Sequence, residues 1–274
     1  MIETDIFFII TAGIVGLLGG SFLTVVIHRG PVIWGLVTND IVNPQHYSLA
    51  LPRSHCPHCK HPLGPQDLIP LLSYFAVRGK CRYCGTKISS FYPTVELLGV
   101  MSAMVAIALP LAWLPSLAAF TLFLFLVALG MIDARTGYLP DALTLPLIAM
   151  GILLSIGNIF IPLGQSLWGA GLGYASFWLI STLYKMFRKQ DGLGLGDAKL
   201  MAAAGAFLGP FALPFVVLMA ALSALITIMV LRVKGGAIDA QTEIRFGPYL
   251  AASIALCFTL THSAPNMMPW IMGI

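Results

Sequence analysis

The chain has 274 residues, of which 58% are hydrophobic and only 9% are charged. Soluble domains carry about 25% charged residues, so the composition excludes an ordinary soluble globular protein. The net charge of +4 does not indicate nucleic-acid binding, because the basic residues lie around the ends of the apolar runs. The composition therefore predicts an all-α polytopic membrane protein with lipid around most of the chain.

Apolar runs bounded by prolines, glycines and charges predict about eight transmembrane helices. They cover residues 6–27, 93–110, 112–131, 142–161, 166–187, 198–213, 214–231 and 246–262, with residues 198–231 alternatively forming one broken helix. The first run follows Met1-Ile2-Glu3-Thr4-Asp5, which has no basic residue, and no clear cleavage site follows. A cleaved signal peptide is therefore not the preferred interpretation.

The basic residues indicate the orientation in the membrane. All fifteen Lys and Arg residues lie in or beside 28–92, 132–141, 188–197 and 232–245. Basic residues accumulate on the cytoplasmic side of membrane proteins. This predicts that segment 28–92 faces the cytoplasm and that the two termini, including the tail 263–274, are extracytoplasmic.

Two Cys-x-x-Cys pairs stand in the long polar segment 28–92. They are Cys56 with Cys59, and Cys81 with Cys84. Their spacing suits one tetrahedral Zn²⁺ held by four thiolates. A reducing compartment favours a metal over disulfides, so the segment is predicted to be a small cytoplasmic zinc-binding loop domain.

Other arrangements of these side chains stay open. The four thiols can instead be redox-active or merely buried, and His55, His58 and His61 stand close enough in sequence to replace a thiolate. The simplest assignment leaves these histidines as solvated neighbours. Cys257 lies in the last apolar run and is predicted to pack there.

Two acidic residues stand at the ends of apolar runs. Asp133 closes the third run, and Asp197 follows the glycine-rich segment 192–196. An ionisable group at a membrane boundary is costly and is a functional candidate. Two carboxylates in one site share a proton, so one can take a proton from water while the other donates to a peptide carbonyl. This chemistry is that of an aspartic peptidase and needs no metal.

A structural alternative exists for the acids. Asp197 can cap a helix that begins at Ala198, and Asp141 can cap one that begins at Ala142. Spacing alone favours this alternative, because the sequence does not show Asp133 meeting Asp197.

Several motifs resemble the type IV prepilin peptidase family, which are membrane aspartic peptidases of the glycine-x-glycine-aspartate type. The matching motifs are Ile132-Asp133, Pro140-Asp141, Gly196-Asp197 with Lys199-Leu200, Gly20-Ser21-Phe22-Leu23 with Val25-Val26-Ile27-His28-Arg29, the segments 54–59, 69–74, 78–84 and 92–97, and Phe246-Gly247-Pro248. The chain departs from the family pattern at Thr24, where Asn is usual, and at Gly30, where Leu is usual.

The resemblance implies two activities on prepilins or pseudopilins. One is removal of the leader peptide, with Asp133 and Asp197 as the catalytic pair and Asp141 as a structural residue. The other is N-methylation of the new N-terminus with S-adenosylmethionine, in which Glu96 would bind the cofactor's sulfonium region or the substrate amine. For Glu96 the alternative is a snorkelling acid, or an acid in the first turn of a helix that the helix dipole favours. Lys199 can stabilise the ionised form of Asp197, or it can be one of the basic residues expected on the cytoplasmic side.

These interpretations divide the chain into five parts. Residues 1–27 are the first transmembrane helix, 28–92 the zinc loop of a methyltransferase region, 93–131 the next two transmembrane helices, 132–262 the peptidase membrane domain and 263–274 the tail.

The expected partners are prepilins and membrane lipid, with no nucleic acid. The alternatives are a peptidase whose zinc loop serves stability or docking, a transporter with acids among broken helices, and a membrane-anchored zinc interaction module.

Overall fold

The computed structural model of the chain describes residues 2–37, 47–188, 194–234 and 245–263. Within these ranges the regular structure is helical. The helices are α1 (Ile2–Ile33), α2 (Leu72–Ala76), α3 (Phe91–Ala108), α4 (Trp113–Thr136), α5 (Asp141–Ile156), α6 (Leu163–Arg188), α7 (Leu195–Leu208), α8 (Leu213–Val233) and α9 (Gly247–Ser263), with 3₁₀ turns at Pro65–Leu68 and Pro210–Ala212. The predicted all-α class is confirmed for this part of the chain.

Each predicted apolar run coincides with one helix other than the short α2. Among the residues that the structure describes, four helical segments are long and apolar enough to cross a membrane, namely Ile6–Ile33, Phe91–Ala108, Trp113–Thr136 and Pro210–Val233. The single broken helix proposed for residues 198–231 is two helices in the structure. Gly209, with a φ of 78°, separates α7 from the 3₁₀ turn that leads into α8, since this backbone conformation ends a helix.

The chain forms two compact units. The first comprises Met1–Ala108 with Ala119–Leu124, and the second comprises Leu109–Ala118 with Phe125–Ile274. Helix α4 therefore contributes residues to both units.

In the first unit, α1 and α3 touch through their backbones. A Cβ on Gly99 would lie 2.4 Å from the carbonyl oxygen of Gly16, and one on Gly20 would lie 2.7 Å from the Cα of Glu96. Small residues four apart allow such close approach between membrane helices. The contact fixes Glu96 against α1.

In the second unit, α7 is the buried centre. Its residues from Leu200 to Leu208 are all buried, as expected for a helix that is apolar on every side. A Cβ on Gly205 would lie 2.0 Å from the carbonyl oxygen of Gly169 in α6, and Gly151 of α5 packs against Phe207. The first turn of α7, which carries Asp197, is thereby attached to a tightly packed element.

Candidate active site and metal centre

Asp133 lies in the last turn of α4 and is only 6% exposed. The backbone N–H of Gly247, the first residue of α9, donates a hydrogen bond of 3.1 Å to Oδ2 of Asp133. A helix N-terminus favours a negative charge, so the start of α9 stabilises the ionised Asp133 carboxylate. A Cβ on Gly247 would lie 2.6 Å from the same oxygen, which explains why glycine occupies the position.

Asp197 lies in the first turn of α7 and is half-buried. Its carboxylate interacts electrostatically with that of Asp133. The preceding Gly196 also has a steric role, because a Cβ there would lie 2.8 Å from the Cβ of Leu139, in the segment that follows α4. The structure thus brings the two predicted acids within electrostatic range of each other.

The predicted capping roles of the acids are wrong. Helix α7 begins at Leu195 with Gly194 as its N-cap, and α5 begins at Asp141 itself after Pro140. Neither N-cap residue makes a side-chain capping hydrogen bond. Asp141 and Asp197 are therefore helical residues of the first turn, where the helix dipole still favours a carboxylate.

Asp141 has a basic partner. The ammonium group of Lys199 in α7 forms an ion pair with Oδ1 of Asp141 in α5. The pair ties the start of α5 to the start of α7, which agrees with the structural role expected for Asp141. Lys199 therefore has a specific ion-pair partner, beyond the general accumulation of basic residues on the cytoplasmic side of membrane proteins.

Two residues of the site were not recognised from the sequence. Gly247 was noted only as part of a motif, and Arg245 only as a basic residue near a helix end. Nη1 of Arg245 donates to the carbonyl oxygen of Ala134 in the last turn of α4, and its charge acts on Asp133. The only sequence signal for either residue is the short motif Phe246-Gly247-Pro248 beside Arg245.

The four predicted zinc ligands form one cluster. The Sγ atoms of Cys56, Cys59, Cys81 and Cys84 all lie within 4.8 Å of one another, and those of Cys56 and Cys84 are 3.9 Å apart. Four sulfurs around Zn²⁺ at about 2.3 Å are separated by about 3.8 Å. The donor set and its spacing therefore fit a tetrahedral zinc site.

The two cysteine pairs have the same backbone structure. The N–H of Lys60 donates to the carbonyl of Cys56, and that of Gly85 donates to the carbonyl of Cys81, both at 2.9 Å. Lys60 and Gly85 occupy equivalent positions and both have positive φ, at 59° and 71°. Each pair is thus a tight turn that directs its two thiols to one point. His61 instead lies against Tyr83, with ring centroids 3.7 Å apart and the ring planes inclined by 33°.

Hydrogen-bond donors also act on the sulfurs. The hydroxyl of Thr86, followed by its backbone N–H, lowers the pKa of the Cys84 thiol to about 6. The backbone N–H of Cys59 lowers the pKa of the Cys56 thiol. These contacts favour the thiolate form, which binds metals, at Cys84 and Cys56. At Cys59 the His61 N–H lowers the pKa, but burial and the neighbouring Cys56 and Cys84 thiols outweigh it and raise the pKa to about 11.

Glu96 is held by two neutral hydrogen-bond donors. The N–H of Leu71 donates to Oε2 of Glu96 at 2.8 Å, and the Ser21 side chain makes a second hydrogen bond. Leu71 has a φ of 57°, a conformation that is strained for a residue other than glycine. Helix α3 begins at Phe91 and has no acid in its first turn, so the first-turn explanation for Glu96 is wrong.

A cavity of about 310 Å³ lies beside Glu96 in the first unit. Cys56 and Cys81, one from each cysteine pair, belong to its wall. The lining also contains four tyrosines, namely Tyr47, Tyr74, Tyr83 and Tyr92. The predicted methyltransferase residue and the predicted zinc ligands therefore border one space.

The chain is similar to known proteins over nearly its whole length. Residues 14–109 match the bacterial peptidase A24 N-terminal domain, and residues 120–229 match the type IV leader peptidase family. A prepilin leader peptidase/N-methyltransferase of Neisseria gonorrhoeae is 40% identical over 94% of this chain and 93% of its own length. Proteins with the same name are 42% identical in Burkholderia pseudomallei, over 87% of this chain and 81% of their own, and 41% identical in Dickeya chrysanthemi, over 90% of each. No solved structure matches the chain significantly. The chain therefore belongs to the type IV leader peptidase family.

Proposed function

We propose that this membrane peptidase removes the leader peptide of type IV prepilins or pseudopilins, with Asp133 and Asp197 as its catalytic pair. The names of its relatives support the substrate class. The observation that carries the catalytic assignment is the electrostatic coupling of Asp197 to an Asp133 carboxylate that the Gly247 N–H holds in place. The experiment that tests it is leader removal by Asp133→Asn and Asp197→Asn, with Asp141→Asn as the matched control.

The two carboxylates take different roles in this proposal. An N–H donor and a neighbouring guanidinium stabilise the charged form of a carboxylate, so Asp133 is the base and Asp197 the acid. Asp133 takes a proton from water as the water oxygen bonds to the peptide carbon, and Asp197 gives its proton to the carbonyl oxygen. The carbon–nitrogen bond then breaks, the oxygen returns its proton to Asp197, and the leaving amine takes the proton held by Asp133.

The second activity is N-methylation of the amine that cleavage exposes, and it is also supported by the relatives' names. S-adenosylmethionine supplies a methyl group on a positively charged sulfur, which transfers to the neutral amine nitrogen with loss of a proton. Glu96 is the residue of this chain assigned to that reaction. Support comes from its fixed position between Leu71 and Ser21 and from the cavity beside it.

Zinc is the metal proposed for Cys56, Cys59, Cys81 and Cys84. Its role is structural, because four thiolates leave no open coordination position for a substrate. The two turns carry few buried apolar side chains, with Cys56 and Cys81 the buried cysteines, so the ion would supply folding energy. A peptidase whose zinc loop serves only stability or docking is the alternative, and methylation of the product distinguishes the two.

The proposed setting is the bacterial inner membrane, crossed by about eight helices. Segment 28–92 and the aspartate pair face the cytoplasm, while both termini are extracytoplasmic and the helices contact lipid. The support is the distribution of Lys and Arg along the chain, and no nucleic-acid partner is proposed. Reporter fusions at residues 63 and 263 would test the orientation. A transporter or a zinc interaction module is not favoured, because neither uses the coupling between Asp133 and Asp197.

A further inference from the structure

Four large apolar side chains stand exposed in and just before the short helix α2. They are Leu68, Ile69, Leu72 and Phe75, with exposed fractions of 47%, 46%, 69% and 68%. Leu72 and Phe75 lie three residues apart in α2 and so share one face of the helix. We propose that these four side chains, the α2 patch, insert into the membrane surface at the boundary between lipid headgroups and acyl chains. The proposal rests on the membrane setting given above and on neither of the two activities.

The depth of α2 follows from its hydrogen bond to α3. The N–H of Leu71, the residue before α2, donates to Oε2 of Glu96 at 2.8 Å. Glu96 lies five residues after Phe91, where α3 begins, which is about 7.5 Å along the helix axis. Helix α3 is a candidate membrane span of 18 residues and is about 27 Å long, whereas the hydrocarbon layer is about 30 Å thick. The helix therefore needs its whole length to cross the membrane, and the bond holds the start of α2 beside the outermost turns of that span. Interfacial helices bury their apolar face to a similar depth, about 5 to 10 Å.

The other end of α2 is tied to the segment that precedes α3. The N–H of Ile88 donates to the carbonyl oxygen of Gly79 at 2.8 Å, and Ile88 lies three residues before the start of α3. The chain from Leu71 to Gly79 therefore leads from the level of Glu96 to a point outside the start of α3. The exposed side chains of α2 lie along this path, between the two levels.

The backbone of the α2 patch also suits a lipid environment, in which polar groups have no water to bond. Pro70 has no N–H to satisfy. The carbonyl oxygens of Ile69 and Leu71 accept the N–H groups four residues further on, those of Ser73 and Phe75, at 3.0 and 3.1 Å. The N–H of Leu71 is the one that bonds to α3. These backbone groups are therefore satisfied within the protein.

Three basic residues stand at the outer end of the same path. Arg78 and Lys80 follow α2, and Lys87 pairs with Lys80 in a short antiparallel bridge. All three are exposed, and none forms an ion pair with an acid in the part of the chain that the structure describes. The phosphate groups of anionic lipids attract Lys and Arg at the membrane surface. Apolar side chains beside the membrane span, with basic ones outside them, match the order of acyl chains and headgroups, so lipid is the occupant that fits best.

A photo-crosslinking amino acid tests where the α2 patch lies. In the experiment p-benzoylphenylalanine replaces Phe75 in the full-length, zinc-loaded protein, which is reconstituted in vesicles of phosphatidylethanolamine and phosphatidylglycerol. His58, an exposed residue between the cysteines of the first turn, receives the same group as the control. We expect illumination to attach lipid at position 75 at least about five times as often as at position 58, because an interfacial helix contacts acyl chains. Mass spectrometry of the intact protein counts the adducts, and zinc content checks that the loop is folded.

The same experiment identifies any other occupant of the α2 patch. It is run with the protein alone and again after a prepilin has been added. Lipid adducts at position 75 in both samples support the proposal. Adducts to the prepilin or to a second copy of the chain in place of lipid would overturn it, as would equal lipid labelling at positions 75 and 58.

Charge variants test the contact with headgroups. Native mass spectrometry of the full-length protein in detergent, titrated with phosphatidylglycerol, measures the binding of anionic lipid. We expect Arg78→Gln combined with Lys80→Gln to weaken this binding at least about tenfold. Lys60→Gln, which changes an exposed residue of the first cysteine turn, should leave it unchanged. Equal weakening by Lys60→Gln would mean attraction to the overall charge of the loop and would overturn the headgroup assignment. The two activities are measured by cleavage and methylation, so a failure here leaves them standing.

Discussion

The backbone N–H of Gly247 donates to Oδ2 of Asp133 at 3.1 Å, and a Cβ at position 247 would lie 2.6 Å from that oxygen. One residue therefore both donates to the carboxylate and leaves the space for it. Any side chain at position 247 would displace either Asp133 or the start of α9. The motif Phe246-Gly247-Pro248 thus belongs to the candidate active site.

We expect Gly247→Ala to reduce leader cleavage by at least about tenfold, because it shifts a carboxylate whose position sets the reaction geometry. The measurement is the initial rate of prepilin cleavage by purified protein. Gly171→Ala is the matched control, because a Cβ at Gly171 meets no atom within 4 Å. Wild-type cleavage by Gly247→Ala would contradict the steric role.

The catalytic pair gives the second prediction. Asp133→Asn and Asp197→Asn should each abolish leader removal while the protein remains in the membrane, since each reaction step needs one ionised and one protonated carboxylate. Asp141→Asn breaks only an exposed ion pair with Lys199, which is worth about 0 to 1 kcal/mol, and should retain cleavage. The measurement is the ratio of precursor to mature pilin with time. A wild-type rate for either Asp133→Asn or Asp197→Asn would remove that residue from the catalytic pair.

Local patterns predicted much of this molecule. The eight apolar runs each coincide with a helix, because a helix lets a continuous apolar segment satisfy its own backbone hydrogen bonds. Four of the helices among the described residues are long and apolar enough to cross a membrane. The cysteine pairs were found because their spacing is local. The two acids were found as charges at the ends of apolar runs, and the family resemblance, not their spacing, paired them. The ends of the helices were predicted less well. Helix α4 continues past the apolar run to Thr136, because polar residues such as Asp133 can remain helical. Gly137, with a φ of 74°, then ends the helix.

The local sequence patterns did not predict contacts between segments that are distant in the chain. The hydrogen bond from Gly247 to Asp133 joins α9 to α4, and the bond from Leu71 to Glu96 joins the zinc-loop segment to α3. Neither contact has a periodicity or a spacing that a single sequence displays. Gly247 and Leu71 both act through the backbone N–H, so neither has a side-chain group that would identify it as a hydrogen-bond donor.

Close helix packing in the second unit gives a stability prediction. A Cβ on Gly205 would lie 2.0 Å from the carbonyl oxygen of Gly169, so Gly205→Ala must push α6 and α7 apart. Overpacking of this kind costs about 1 to 3 kcal/mol. We expect a lower thermal unfolding temperature in detergent, whereas Gly171→Ala on α6 should not lower it. Unchanged unfolding of Gly205→Ala would mean that the two helices separate at no cost.

The cysteine cluster predicts about one zinc ion per chain. Cys84→Ser should lose the metal, because it removes one of four converging thiols. Cys257→Ser should keep it, since Cys257 is buried in α9. Elemental analysis of protein purified without chelator and under reducing conditions is the measurement. Metal-free wild-type protein would instead favour a redox-active set of thiols.

The last prediction separates the two activities. Glu96 belongs to the first compact unit, and Asp133 and Asp197 belong to the second. Glu96→Gln removes a charge from the cavity wall but leaves the aspartate pair and its Gly247 donor untouched. We therefore expect cleavage to stay within about threefold of wild type while N-methylation falls at least about tenfold, the loss typical of a charged hydrogen-bonding group. Mass spectrometry of the mature pilin N-terminus measures both, because the methylated product is heavier than the merely cleaved one by one CH2 unit, a methyl group having replaced a hydrogen. Loss of cleavage and methylation in equal measure would mean that Glu96 serves the fold of the whole chain, and the methylation site would then have to be sought elsewhere.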